Sequence, residues 1–332
     1  MTETDDPLDI TIVTPAYNRE GLILRALESV RQQTRLPREI IIVDDQSTDN
    51  TVEVARQWGH ETGLPLRVEI MRRNGGPAAA RNRGIELATS CYVAFLDSDD
   101  EYFPYALERL AFPFSIAPEL VFSFADATVV TPSERVEHDL FAPHITLEQD
   151  AETPWAEPGL YRLRYPADVL LKASIIPTSA TCFQREAALA VGGMPENFRS
   201  GEDWLFWLRL STQGDFAFQL CDTVMHHRHD DNLTHARSAE LVAREKMRGF
   251  EALYRDRLGV PLTDAQKSRV RSLLIQQIAY WRYHLSTLGF PAYLAGLRNQ
   301  NEILPGGATR QMVKDPKSLF RAACYSLLQR PQ

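Results

Sequence analysis

Phe95-Leu96-Asp97-Ser98-Asp99-Asp100 is the stretch on which the reading of this chain turns. Residues 92–96 form a short apolar run rich in aromatic and β-branched side chains, the composition of a buried strand. The run ends abruptly in three carboxylates within four positions. Like charges at the end of a buried strand repel one another and resist desolvation, so they call for a cation. A divalent ion shared with a phosphate is the natural candidate, because Mg²⁺ and Mn²⁺ favour oxygen ligands and often keep substrate phosphates in their shell. The bland alternative is a solvated loop whose aspartates cap the next helix.

On either side of this stretch, strand and helix patterns alternate. Residues 10–14 read as a first strand, which Pro15 is expected to end. Apolar residues between Leu22 and Gln33 recur at helical spacing. Residues 39–43 predict a second strand ending at Asp44-Asp45, with Ser47 or Thr48 capping the helix that follows. Residues 66–70 alternate as a third strand, 74–77 form a turn, and 78–88 a helix with Pro77 near its first position. After the central strand come a helix from Pro104 to about Ile116 and a strand over 120–124. Such alternation implies βαβ units and a mostly parallel sheet flanked by helices, an α/β fold. Ligands in these sheets bind beyond the carboxyl ends of the strands. Three such ends carry Tyr17-Asn18, Asp44-Asp45 and Asp97-Ser98-Asp99.

Residues 131–158 lose this pattern and mix prolines with acids. They read as a mobile insertion, either a lid or a solvated loop. Order resumes with a strand over 178–183, a short helix over 186–191, a helix over 203–210 bearing Trp204 and Trp207, and a strand over 216–220. Beyond Arg237 the pattern is purely helical. The expected organisation is therefore one domain over residues 1–236 and an all-helical extension over 237–332.

Composition narrows the function classes. With 44% hydrophobic and 24% charged residues in 332, the chain has an ordinary globular balance. A net charge of −8 argues against a general nucleic-acid binder. Cys91, Cys182, Cys221 and Cys324 lie far apart, which points to reduced thiols in a cytoplasmic protein and to neither a disulfide framework nor a zinc site. The acidic first nine residues do not read as a signal peptide. No apolar run approaches the ~18–20 residues of a membrane span. From Arg310 onward five basic residues face Asp315 alone, beside an apolar face of Leu319, Phe320, Ala323, Leu327 and Leu328. Such a helix lies on anionic lipid as a peripheral contact, docks on a partner, or packs on the body.

Taken together, the motifs resemble the family 2 nucleotide-sugar glycosyltransferases of GT-A fold. The matching residues are Val13-Thr14-Pro15-Ala16-Tyr17-Asn18, the stretch from Val43 to Thr51, the stretch from Asn74 to Gly84, Asp97-Ser98-Asp99-Asp100, Gly201-Glu202-Asp203-Trp204, and His227 to Thr234. The resemblance covers about Ile10 to Thr234 and implies an inverting transfer of a sugar from a nucleotide donor, most simply a UDP-sugar, to an acceptor hydroxyl. Asp45 would accept the imide N–H of a uracil-type base, which suits an acceptor-only carboxylate. Thr14, Pro15 and Tyr17 would line the base pocket, and Gly76 would admit the nucleotide close to the backbone or simply make a tight turn. Arg81 would face the diphosphate or form a structural ion pair. Asp97 would take the ribose hydroxyls, with Ser98 also nucleotide-binding. Asp99 and His229 would hold Mn²⁺ or Mg²⁺. Glu202 and Asp203 correspond to the catalytic-base pair, Asp203 being the base or, alternatively, a helix cap. The acceptor would be a glycan, a lipid-linked or a small molecule. The competing readings are a non-catalytic nucleotide-sugar sensor and a nucleotidyltransferase, the latter needing a basic Gly-rich loop absent from residues 10–19.

Overall fold

The computed structural model describes residues 6–131, 133, 136, 137, 155–172, 176–228, 239–303 and 315–328. Most of the insertion expected over 131–158, and all of His229 to Thr234, lie outside these residues. The chain divides into two compact units, Met1–Asn197 with Glu202–Asp230, and Phe198–Gly201 with Asp231–Gln332.

The first unit opens with β1 (Leu8–Ala16), α1 (Ile23–Arg31), β2 (Pro37–Asp44), α2 (Thr51–Thr62), β3 (Leu66–Ile70), α3 (Gly76–Leu87) and β4 (Tyr92–Phe95). It continues with β5 (Glu101–Tyr102), α4 (Ala106–Ile116), β6 (Phe122–Val130), β7 (Val136–Glu137), β8 (Leu160–Leu163), β9 (Thr181–Gln184) and β10 (Phe216–His227), with helices Arg185–Ala190 and Glu202–Leu210 between the last two strands. One sheet runs β3-β2-β1-β4-β9-β6-β10-β5. Its β3-β2-β1-β4 half is wholly parallel, whereas β9 runs antiparallel to both β4 and β6. Because β4 follows β3 in the chain but pairs on the far side of β1, the gap between β1 and β4 is the switch point where such sheets bind ligands.

Two apolar layers hold the sheet. Ile10, Ile12, Ile40 and Ile42 join Ile23, Leu27 and Val30 of α1 in one buried cluster. An aromatic cluster forms from Phe95, Phe122, Phe183, Phe206 and Trp207, with ring centroids 4.6–6.3 Å apart. On α3 the residue facing β1 is Gly84; a Cβ there would sit 2.2 Å from Val13 Cγ1. That contact sets how closely the helix lies on the strand.

Four local expectations need correction. Pro15 lies inside β1, paired in register with Val43. The Val13 carbonyl faces β4, accepting from Leu96 N, while the Ala16 carbonyl faces β2, accepting from Asp45 N. Pro15 is in phase with Val13, so its ring nitrogen points to the side where β4 has already ended and no bond is lost. Ser47 and Thr48 do not cap α2; the Asp49 carboxylate accepts from Thr51 N instead. Thr178–Ala180 is a 3₁₀ turn, not strand. The strand expected to stop at Leu220 runs to His227, because register shifts around Asp222 absorb the polar interruption.

The second unit is helical where described: Ala239–Tyr254, Asp264–Thr287, Phe290–Ile303 and Pro316–Leu328. Thr263 and Gln266 form a reciprocal capping box at the start of the longest helix. Gly296 lets that helix be approached closely, since a Cβ there would lie 2.3 Å from Leu285 Cδ1. Buried Glu245 accepts from Arg248 at 2.7 Å and from the backbone N–H of Arg199 at 3.2 Å.

Candidate active site

The carboxyl ends of β1, β2 and β4 present their loops on one edge of the sheet. At β2, buried Asp45 accepts from the backbone N–H groups of Gly75 and Gly76, both at 2.7 Å. An ionised carboxylate has about four lone-pair positions, so two such bonds leave capacity for a ligand donor. Gly76 has φ +83°, and a Cβ built on it would meet nothing within 4 Å, so the glycine serves the turn and borders open space. Asn18, also at positive φ, ties the β1 loop to the β2 loop: its N–H donates to Ser47 Oγ, and its Oδ1 accepts from Thr48 N. Thr14 is buried, Pro15 half-buried and Tyr17 exposed on this edge.

At β4, Asp97 and Asp99 are half-buried while Ser98 and Asp100 are buried. Arg81, from the middle of α3, is the cation beneath them. Its Nη2 lies 2.6 Å from Asp97 Oδ1 and its Nη1 3.4 Å from Glu202 Oε1, with the guanidinium 5.7 Å from the Phe95 ring centre. Of the two roles open from sequence, the structure displays the ion pair, and it is shared between two carboxylates. Burial opposes the charge on Arg81, but Asp97 and Glu202 outweigh it and raise its pKa. Burial pushes Asp97 up against the pull of Arg81, and the charges of Asp100 and Asp99 add to that push.

Glu202 and Asp203 open the helix Glu202–Leu210. Burial, with Asp203 beside it, raises Glu202 to about 7 in spite of Arg81. Asp203 Oδ2 accepts from Thr178 Oγ1 at 3.0 Å and Oδ1 from Trp204 N at 2.7 Å. Asp203 sits inside the first helical turn and not at the cap position.

The Glu202 shift has a measurable consequence. Between about 4.5, its ordinary value, and about 7, the folded state holds a proton that the unfolded chain has lost. The stability this group contributes is therefore full below the lower value and is lost as pH rises through the upper one. Glu202→Gln is expected to flatten the melting temperature across pH 5–8. An unchanged slope in the glutamine variant would assign the titration to another group.

Several contacts here escaped the sequence reading. Asp100 accepts from Ser179 Oγ at 2.6 Å and pairs with His226 Nδ1 at 2.9 Å. Burial pulls His226 down, but the hydrogen bond and charge of Asp100 overcome it and raise its pKa. Arg25 donates to the Asp99 carbonyl at 2.6 Å and pairs with Glu101 at 3.2 Å. Pro177 ahead of Thr178-Ser179 was the available signal for a turn. His226 lay beyond the expected end of its strand at Leu220, so nothing in the pattern delivered it to the site. Among the described residues, no three His, Cys, Asp or Glu side chains gather to hold a metal unaided. His229 lies outside the described residues.

Comparison with known proteins bears on this geometry. The sequence model for "Glycosyl transferase family 2" matches residues 11–186. A Bacillus subtilis (strain 168) glycosyltransferase named for teichuronic acid biosynthesis, TuaG, is 30% identical over 223 residues, 66% of this chain and 78% of that protein. The poly(ribitol-phosphate) beta-glucosyltransferase of Bacillus spizizenii is 40% identical over 105 residues, 31% of this chain but only 16% of that protein. Among solved structures, S. aureus TarS 1-349 in complex with UDP-GlcNAc superposes with a TM-score of 0.65 at 19% identity, covering 90% of this chain and 82% of that one. The likeness extends to the GT-A fold of TarS.

Proposed function

The chain belongs to glycosyl transferase family 2, and from that premise we propose that it moves a sugar with inversion from a uridine-type nucleoside diphosphate to an acceptor hydroxyl. One observation carries the reading: Arg81 joins Asp97, at the end of β4, to Glu202, which precedes Asp203 at the start of a helix. A carboxylate suited to ribose hydroxyls thus lies at one end of a guanidinium bridge, and at the other end lies Glu202, the chain neighbour of Asp203, the carboxylate suited to proton removal. Asp45 accepts the imide N–H of the base, Thr14, Pro15 and Tyr17 line its pocket, and Gly76 borders it. Ser98 completes the loop that receives the nucleotide, and Arg81 acts on the donor through Asp97. Asp203 removes the proton of the acceptor hydroxyl as it attacks opposite the departing diphosphate.

The donor set also suits a metal, in a particular way. Mg²⁺ or Mn²⁺ binds through one or two carboxylates plus substrate phosphates, so a protein-only cage is not needed. Half-buried Asp99, with His229, would hold it. When bound, it would neutralise charge building on the leaving diphosphate. UDP is expected to raise the melting temperature with Mn²⁺ present, and EDTA or Asp99→Ala to remove most of that rise. Unchanged UDP stabilisation in EDTA would sink the metal assignment. Release of UDP from UDP-sugars tests the donor itself, with dTDP-sugars as the comparison.

For the acceptor, a glycan is the natural class, given relatives named for teichuronic acid and poly(ribitol-phosphate) chemistry. Delivery on lipid is supported by charge. Residues 265–332 hold ten lysines and arginines against Glu302 and Asp315, in a chain of net charge −8. In the helical unit Tyr280, Tyr283, Phe320 and Tyr325 are exposed, and the Arg321 guanidinium lies 4.2 Å from the Tyr283 ring centre. Cations with exposed aromatics make a surface for anionic headgroups. No described helix is long and apolar enough to cross a membrane, and the contact proposed is a peripheral one. The full chain is expected to float with vesicles containing phosphatidylglycerol and not with pure phosphatidylcholine; equal behaviour on both removes the lipid reading.

A further inference from the structure

The 3₁₀ turn Thr178–Ala180 has no role in the account above, yet it touches both ends of the site. Ser179 is buried, and its Oγ accepts from Asp97 N at 3.0 Å while donating to Asp100 Oδ2 at 2.6 Å. The neighbouring Thr178 donates its hydroxyl to Asp203 Oδ2 at 3.0 Å. On the other side, Thr181 Oγ1 donates to the Thr178 carbonyl at 2.7 Å, so the backbone of Thr178 is pinned from both flanks.

We propose that Thr178 is the residue that positions the base, holding the Asp203 carboxylate in one orientation relative to the donor loop. The geometry supplies the reasons. A carboxylate at a helix start can rotate about two side-chain bonds, and only a narrow range aims an oxygen at an acceptor hydroxyl. Trp204 N holds Oδ1 and Thr178 holds Oδ2, so both oxygens are fixed, and each retains a lone pair for the acceptor. Through Ser179 the same turn is referenced to Asp97 and Asp100. The orientation of the base is thus set against the loop that takes the donor, not against the helix alone. Hydrogen bonds to ionised groups are stronger than neutral ones, so one hydroxyl suffices.

The inference rests on Asp203 being the base, and the test separates the two claims. Thr178→Val keeps the shape and removes the hydroxyl. It is expected to lower kcat by about 10- to 100-fold, the worth of a hydrogen bond to a charged group, with the KM for the nucleotide-sugar donor unchanged. Thr178→Ser restores the hydroxyl and should recover most of kcat. In an Asp203→Asn background, Thr178→Val should cost little more, because both changes disable one unit. A valine variant with normal kcat overturns the proposal, as does one whose loss is equally large beside Asp203→Asn. If Asp203→Asn alone stays active, the base assignment has failed first. Should the valine variant melt below the assay temperature, Thr178→Ala at lower temperature gives the same readout, and serine rescue still decides.

Discussion

Replacing Asp203 with asparagine is expected to lower sugar transfer by about 10²–10⁴-fold, the usual cost of losing a general base. Asparagine keeps the size and its carbonyl oxygen can still accept from Thr178 or Trp204 N, but it cannot take up the acceptor proton. Nucleotide binding should hardly change, because Asp45 and Asp97 lie in the loops after β2 and β4, apart from the helix that carries Asp203. A purely structural role makes the opposite forecast: asparagine keeps an oxygen to accept from Thr178 or Trp204 N, and activity would survive. Glu202→Gln is the control. Glu202 is buried against Arg81, so the change should be milder. An inactive Glu202→Gln beside an active Asp203→Asn would move the base one residue earlier.

The second large effect concerns stability. Arg81→Met is expected to destabilise the first unit by about 3–5 kcal/mol, the cost of leaving buried charges without their partner. For a unit of this size that corresponds to a fall of roughly 6–20 °C in melting temperature. The loss should shrink when Asp97→Asn or Glu202→Gln is added, because the penalty lies in the abandoned carboxylates. A loss that persists in full with both carboxylates neutralised would show that Arg81 serves by packing on Phe95 instead. Lysine is not a substitute, since one ammonium cannot present the two-sided fork that reaches both partners.

Much of this architecture is legible in the chain because it is local. The β1–β4 half follows from apolar runs separated by helical periodicity, and the carboxylates at its strand ends mark the ligand edge. Other features were hidden for physical reasons. Asp222 interrupts an apolar pattern, yet Thr128 Oγ1 donates to it at 2.5 Å and the sheet shifts register around it, so β10 continues. Thr178 reads as a strand former by its β-branch, while its hydroxyl bond to Asp203 depends on a helix 25 residues away. Arg81 sits among Ala78, Ala79, Ala80 and Gly84, and small neighbours were a hint of burial. Which carboxylates it meets is a property of tertiary closure that no local pattern encodes.

The spacing of those partners along the chain has a consequence for biosynthesis. Ser179 meets Asp97 across 82 residues, Glu202 meets Arg81 across 121, and His226 meets Asp100 across 126. A chain emerging from the ribosome can assemble β1 to β4 early, with three carboxylates already in place and Arg81 as their nearby counter-charge. Asp203, the proposed proton acceptor, arrives only after more than a hundred further residues have been made. At about 5–20 residues per second, roughly 5–20 s separate the synthesis of β4 from that of Asp203. On the proposed roles, the chain over that interval has the residues that would hold a donor and lacks the one that would use it.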